Sequence, residues 1–151
     1  MPDPIEGVVQ RRQNRRMTDP TAAPLTAADL VALARAARRD PPCPTCVSLV
    51  CPGWEAMPAS IARDALERVG TLRDPTIEEP TVAEYHPAGT HAWSPEAPIA
   101  PRWFPYNRCD VWRCGTCARA FLRYTEYGGY YNEERVREID ANRVVDAPGP
   151  A

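Results

Sequence analysis

Hydrophobic positions are sparse along this chain, and their period changes as the chain advances. Between residues 27 and 39, Leu30, Val31, Leu33, Ala34 and Ala37 make one apolar stripe at helical spacing, which predicts a helix over 27–39. Thr26 is a good N-cap, and Asp29 three residues on completes a variant capping box. Leu25 and Leu30 would close a hydrophobic staple. Arg35, Arg38 and Arg39 suit the negative end of the helix dipole, and Pro41 and Pro42 stop the helix. Ile61, Ala65, Leu66 and Val69 fit a short second helix over 59–69, with Gly70 just past its end. Further on the period shortens to two. Residues 110–113 alternate as a strand. Residues 120–127 read as a second, with Phe121, Arg123, Thr125 and Tyr127 on one face and Leu122, Tyr124 and Glu126 on the other. Gly128-Gly129 signals a hairpin turn. The stretch after it reads either as a third strand from Tyr130 followed by a short helix capped by Asn132, or as more strand.

Between these elements lies a stretch that no regular element accommodates. Residues 74–105 hold seven prolines, which excludes ordinary helix and central strand. They also hold Trp93, Ile99, Trp103 and Phe104, so an ordered segment wrapped over the domain is expected. Residues 1–24 combine four prolines with Arg11, Arg12, Arg15 and Arg16 and read as a disordered tail. Met17 would serve as a start in its own right. Residues 141–151 read as a flexible C-terminal tail, which leaves 25–140 as a single domain.

Composition sharpens this picture. Of 66 residues counted as hydrophobic, 22 are alanine, and Leu, Ile, Val and Phe together number only 25. So thin a set needs a staple. The net charge of −2 argues against wholesale disorder and lacks the basic footprint of a nucleic-acid binder. The 18 arginines without a lysine fit a GC-rich, bacterial-type codon usage. No apolar run approaches the roughly 20 residues of a membrane span, and no basic-then-apolar leader is visible, so a cytoplasmic protein without a membrane partner is expected.

The staple is visible in the six cysteines. Cys43/Cys46 and Cys114/Cys117 are two C-x-x-C pairs. Two residues between thiolates let one tight turn present both sulfurs to one ion, and two such turns close a tetrahedron of the kind Zn²⁺ prefers. Gly115 would permit the bend of the second turn, and small Ala118 would let backbone amides face the sulfurs. Structural disulfides would need an oxidising compartment, and a redox dithiol would sit at a helix start in a βαβ context. Cys43-Pro44-Thr45-Cys46 and Val111-Trp112-Arg113-Cys114-Gly115-Thr116-Cys117, followed by Phe121, resemble the zinc-ribbon fold group. The resemblance implies two knuckles, a β-hairpin carrying the second, and one structural zinc. The 67 residues between Cys46 and Cys114 would then be an insertion between knuckles. Cys51 and Cys109 remain. With His86 and His91 they could make a second metal site, or they could be buried apolar residues.

Four thiolates leave no open coordination position, so catalysis at that centre is not expected. A metal-dependent enzyme would have to use His86 and His91, in a loop without the one-face geometry of a helical His pair. Tyr124, Tyr127, Tyr130 and Tyr131 cluster around the hairpin tip as a rigid amphipathic patch suited to a protein partner. A nucleic-acid-binding ribbon would stack bases there, but Glu126, Glu133, Glu134 and Glu138 beside it would repel phosphate. The fold expected is α+β: a small zinc-ribbon-like β-hairpin domain with one or two N-terminal helices and a proline-rich wrapping segment. The function expected is a non-catalytic zinc protein of adaptor or toxin-neutralising type.

Overall fold

The structure is a computed structural model and describes residues 23–150. The first 22 positions, where the tail with its arginine cluster is expected, lie outside the described residues, as does Ala151.

Helix α1, Ala27–Ala36, begins as its sequence dictates. Asp29 N–H donates to Thr26 Oγ1 at 3.2 Å and Thr26 N–H donates to Asp29 Oδ2 at 2.8 Å, the reciprocal capping box. Its buried stripe is Leu30 and Ala34. The helix stops three residues earlier than its spacing predicts. Ala37 is extended, and Arg38 donates its backbone N–H to Cys117 O at 2.8 Å and its guanidinium to Thr116 O at 2.6 Å. A hydrogen bond to a distant turn replaces the next helical one. Removing the cap with Thr26→Ala is expected to lower unfolding free energy by about 1 kcal/mol in a urea titration.

The rest is mostly strand. β1 (Glu55–Ala56), β2 (Leu66–Thr71), β3 (Asp110–Cys114), β4 (Ala120–Tyr127) and β5 (Asn132–Glu138) form one antiparallel sheet in the order β1-β5-β4-β3-β2. Among the described residues the fold is therefore mixed α+β, dominated by strands, with one α-helix. The second helix expected over 59–69 does not form. Turns close by Ile61 N–H to Pro58 O and Ala65 N–H to Ala62 O, and the chain then enters β2. Apolar positions 61, 65, 66 and 69 fit a helical stripe, but β3 offers β2 a ladder: Leu66 lies opposite Cys114, and Glu67 opposite Arg113 with which it ion-pairs. Gly70 does not cap a helix. It follows a bulge between Arg68 and Gly70, and a Cβ there would come within 2.6 Å of Leu25 Cδ1. After the tip, further strand is what forms, and no helix is capped by Asn132.

The sheet buries both faces. On one, Ala120, Leu122 and Tyr124 of β4 and Val111 of β3 pack with Leu30 and Ala34 of α1, Trp54, Leu72, Ile99, Tyr106 and Ile139. On the other, Phe121, Val136 and Leu66 pack with Leu49 and five cysteines. The proline-rich segment supplies buried Ala97, Ile99 and Ala100. It is tied to the turn before β3 by Asn107 Nδ2 donating to Thr81 O at 2.9 Å and Arg108 Nη2 donating to Pro80 O at 3.0 Å. Residues past 140, expected as a free tail, hydrogen-bond to it through Ile99 N–H to Arg143 O and Val145 N–H to Ile99 O. Trp103 Nε1–H donates to Pro148 O at 3.0 Å. Among the described residues no helix is long and apolar enough to cross a membrane.

Candidate metal centre

Two turns meet at one end of the sheet. The first, Cys43–Cys46, follows α1 and leads into a 3-10 turn, Val47–Leu49, with Leu49 N–H donating to Cys46 O at 2.8 Å. The second joins β3 to β4. Ala118 N–H donates to Cys114 O at 3.0 Å, Cys114 N–H donates to Arg119 O at 2.8 Å, and Thr116 N–H reaches Cys114 Sγ at 3.5 Å. The unusual backbone of this turn falls on Ala118, at φ 66°, and not on Gly115, where a Cβ would meet only open space. Gly115 instead donates its N–H to Ala65 O at 3.2 Å.

The four sulfurs converge. Cys43, Cys46, Cys114 and Cys117 are all buried, and their Sγ atoms lie within 4.8 Å of one another. Cys43 faces Cys114 at 3.8 Å, and Cys46 faces Cys117 at 3.5 Å. A disulfide would need about 2.05 Å, whereas a tetrahedral ion with bonds near 2.3 Å holds its thiolates about 3.8 Å apart. All four are free cysteines. The arrangement fits a metal ion.

Electrostatics points the same way. Burial pushes the Cys46 thiol up, and the neighbouring Cys117 and Cys114 sulfurs push it further. Burial also raises Cys117, against the pull of the Arg119 amide. At Cys43 burial is outweighed by hydrogen bonds from the Cys46 and Thr45 amides and from the Cys117 and Cys114 thiols, and the pKa falls to about 6. Four thiolates this close cannot all ionise without a cation between them. At neutral pH the metal-free centre therefore keeps protons on Cys46 and Cys117, and an entering ion must displace at least those two. Affinity for Zn²⁺ should rise with pH by about tenfold per displaced proton per pH unit, hence by at least about a hundredfold, and more steeply below about 6, where Cys43 also takes a proton. Competition against a chromophoric chelator at two pH values checks this.

Two residues that the cysteine spacing does not pick out complete the junction. Thr45 and Thr116 Oγ1 lie 2.9 Å apart and bridge the turns. Their signal was in the sequence, since threonine precedes the second cysteine in both Cys-Pro-Thr-Cys and Cys-Gly-Thr-Cys.

The second site does not assemble. Cys51 packs in the same cluster as the four sulfurs, with its thiol donating to Leu49 O at 2.9 Å, while Cys109 lies in the cluster on the opposite face and donates to Pro105 O at 3.3 Å. Burial pushes Cys51 up to about 11 and raises Cys109 well above the ordinary thiol value, so both stay thiols. His86 is held between Thr90 Oγ1 at 2.8 Å and Glu84 Oε1 at 3.0 Å, and His91 N–H donates to Ser94 Oγ. Among the described residues the four-cysteine group is the one cluster of metal-ligating side chains with its ligand atoms in reach of a single ion. The Thr90–His86–Glu84 order is that of a hydroxyl–imidazole–carboxylate chain. All three come from one short turn, however, and none lines either of the clefts of about 470 and 960 Å³.

The tyrosine patch divides. Tyr124 is a core residue, 7% exposed, edge-on to Trp54 at 4.9 Å and accepting from Arg135 at 3.2 Å. It lies on the inward face of β4, apart from the exposed tyrosines of the tip. Tyr127, Tyr130 and Tyr131 are exposed at 77%, 102% and 69% around the β4–β5 turn. Gly128 N–H donates to Tyr131 O at 2.9 Å, and a Cβ on Gly128 would sit 2.8 Å from that oxygen, so this position must be glycine.

The chain matches no protein-family model, no curated protein and no solved structure. What the chain offers to a functional reading is a four-cysteine cluster that could hold a metal ion.

Proposed function

We propose that the protein is a non-catalytic, zinc-stapled interaction module that presents Tyr127, Tyr130 and Tyr131 to a protein partner in a reducing, cytoplasmic compartment. The observation that carries the reading is the closed set of four buried sulfurs. An all-thiolate tetrahedral site suits Zn²⁺, and a site filled by four thiolates keeps no position for a substrate or water. The ion's part is then structural, and the exposed surface has to supply the activity. At the tip, three exposed amphipathic side chains stand out on a turn closed by the hydrogen bond from Gly128 N–H to Tyr131 O, and tyrosine gives an interface large contact area at low entropic cost. Glu126, Glu133 and Glu134 beside them favour a protein over nucleic acid. Each has an arginine partner, so the neighbourhood carries no surplus positive charge.

Affinity enrichment with the zinc-loaded protein and with a Tyr130→Ser/Tyr131→Ser variant tests the reading. The expected result is a defined protein retained by the native chain and lost by the variant, which keeps its zinc and its melting temperature. Retention by the variant contradicts the proposal. So does capture of nucleic acid with affinity falling steeply as salt rises.

A further inference from the structure

The outer half of β4 has a neighbour on one side only. β3 pairs with it no further than Asp110 opposite Arg123, because Pro105 and the 3-10 turn Tyr106–Arg108 carry the preceding chain off the sheet. β5 continues to pair as far as Tyr127 opposite Asn132. In an antiparallel ladder, alternate residues direct both backbone groups to the same side. Ile139 N–H donates to Ala120 O, so Ala120, Leu122, Tyr124 and Glu126 are turned towards β5. Thr125 and Tyr127 therefore direct N–H and C=O to the open side, as an edge ready to receive a strand.

A cleft of about 470 Å³ runs along that edge, within the range of ligand pockets, with Arg73, Arg108 and Arg123 in its lining. Its carboxylates are already paired: Asp110 with Arg73 at 2.9 Å, Glu134 with Arg123 at 2.6 Å, and Glu126 with Arg135 at 3.7 Å. Arg108 pairs with no carboxylate among the described residues. Its Nη2 donates to Pro80 O, and its buried Nε–H finds no acceptor. Arg123, its guanidinium 4.4 Å from the centre of the Trp112 ring, also keeps a buried Nε–H without an acceptor. The open strand edge and the guanidinium of Arg108, which no carboxylate pairs, thus line one cleft.

We propose that this cleft takes an extended acidic peptide segment, which adds as a strand along Thr125–Tyr127 and sets a carboxylate against Arg108. The proposal rests on the protein-interaction reading and gives the partner a chemistry: backbone pairing supplies a non-selective part of the affinity, and the carboxylate supplies selectivity.

Fluorescence anisotropy of the zinc-loaded full chain with a labelled five-residue peptide of alternating valine and glutamate tests it. Saturable binding is expected. Each of three changes should weaken it about tenfold or more: glutamine for glutamate in the peptide, N-methylation of the peptide backbone, and Arg108→Gln in the protein. The first two leave the protein untouched, so a folding defect in the variant cannot imitate them. Equal binding of the glutamine peptide, undiminished binding of the methylated one, no binding of the acidic peptide, or preference for an oligonucleotide of equal charge overturns the proposal. The Tyr130→Ser/Tyr131→Ser variant should bind the acidic peptide normally, so failure here is distinguishable from failure of the wider reading.

Discussion

Cys114→Ser and Cys117→Ser are each expected to lose the bound ion and most of the cooperative fold. Of the nine buried residues in the cluster on that face of the sheet, five are cysteines. Without an ion, Leu49, Leu66, Phe121 and Val136 are left to join two turns that lie 67 residues apart in sequence. Structural zinc sites contribute on the order of 10 kcal/mol, comparable with the roughly 5–15 kcal/mol that holds a whole domain. Chelation should reproduce the effect in the native chain. Cys51→Ala is the matched control. Cys51 is equally buried in the same cluster but stands outside the four, so its loss should cost only about 1–2 kcal/mol and leave the metal in place. Thermal unfolding followed alongside metal content separates the cases, and a Cys114→Ser protein that melts like the native one contradicts the assignment.

The second large effect is expected at Arg137, which is fully buried. All the oxygens it bonds are neutral. Nε donates to Pro52 O at 3.1 Å, Nη1 to Tyr106 Oη, and Nη2 to Pro95 O at 3.2 Å and Ala97 O at 2.9 Å. One side chain of β5 thus fastens the loop before β1, the proline-rich segment and the turn before β3. Arg137→Leu would deprive four acceptors of their donor, two of them, Tyr106 Oη and Ala97 O, in buried bonds, at about 1–3 kcal/mol for each acceptor that water cannot reach. A loss of about 4 kcal/mol or more in urea unfolding of the metal-loaded protein is expected, or roughly 10 °C in melting temperature. Arg137→Lys should recover only part of it, because an ammonium cannot span the same fork of acceptors. A loss below 1 kcal/mol for Arg137→Leu would refute this account of how the irregular segments are held.

Arg137 also marks where sequence reading stops. Local signals were readable because they depend on neighbours in the chain. Thr26 and Asp29 start α1 by their own side chains, and the alternation of residues 120–127 coincides with β4 at both ends. The two Cys-x-x-Cys turns were readable for the same reason, since each presents two sulfurs by itself. What depends on distant partners was not. Residues 59–69 are periodic enough for a helix until β3 is present to receive β2. Helix α1 ends early because Arg38 finds the turn at Cys117, and the chain between them gives no hint of that contact. Tyr124 and Tyr127 look alike in a tyrosine-rich run, yet they alternate across the sheet, and only burial by Trp54 assigns the first to the core. An arginine at position 137, in a run of charged residues, reads as solvated until the loops that need its donors are placed around it.

The central claim is that one zinc ion joins the two turns. Native mass spectrometry of protein purified under reducing conditions without chelator tests it most directly, because it counts metal and disulfides in the same folded molecule. The account predicts one zinc per chain, no disulfide, and loss of the folded charge-state distribution when the zinc is stripped. A metal-free chain that keeps its compact distribution, or one whose cysteines are joined by disulfides, would contradict it.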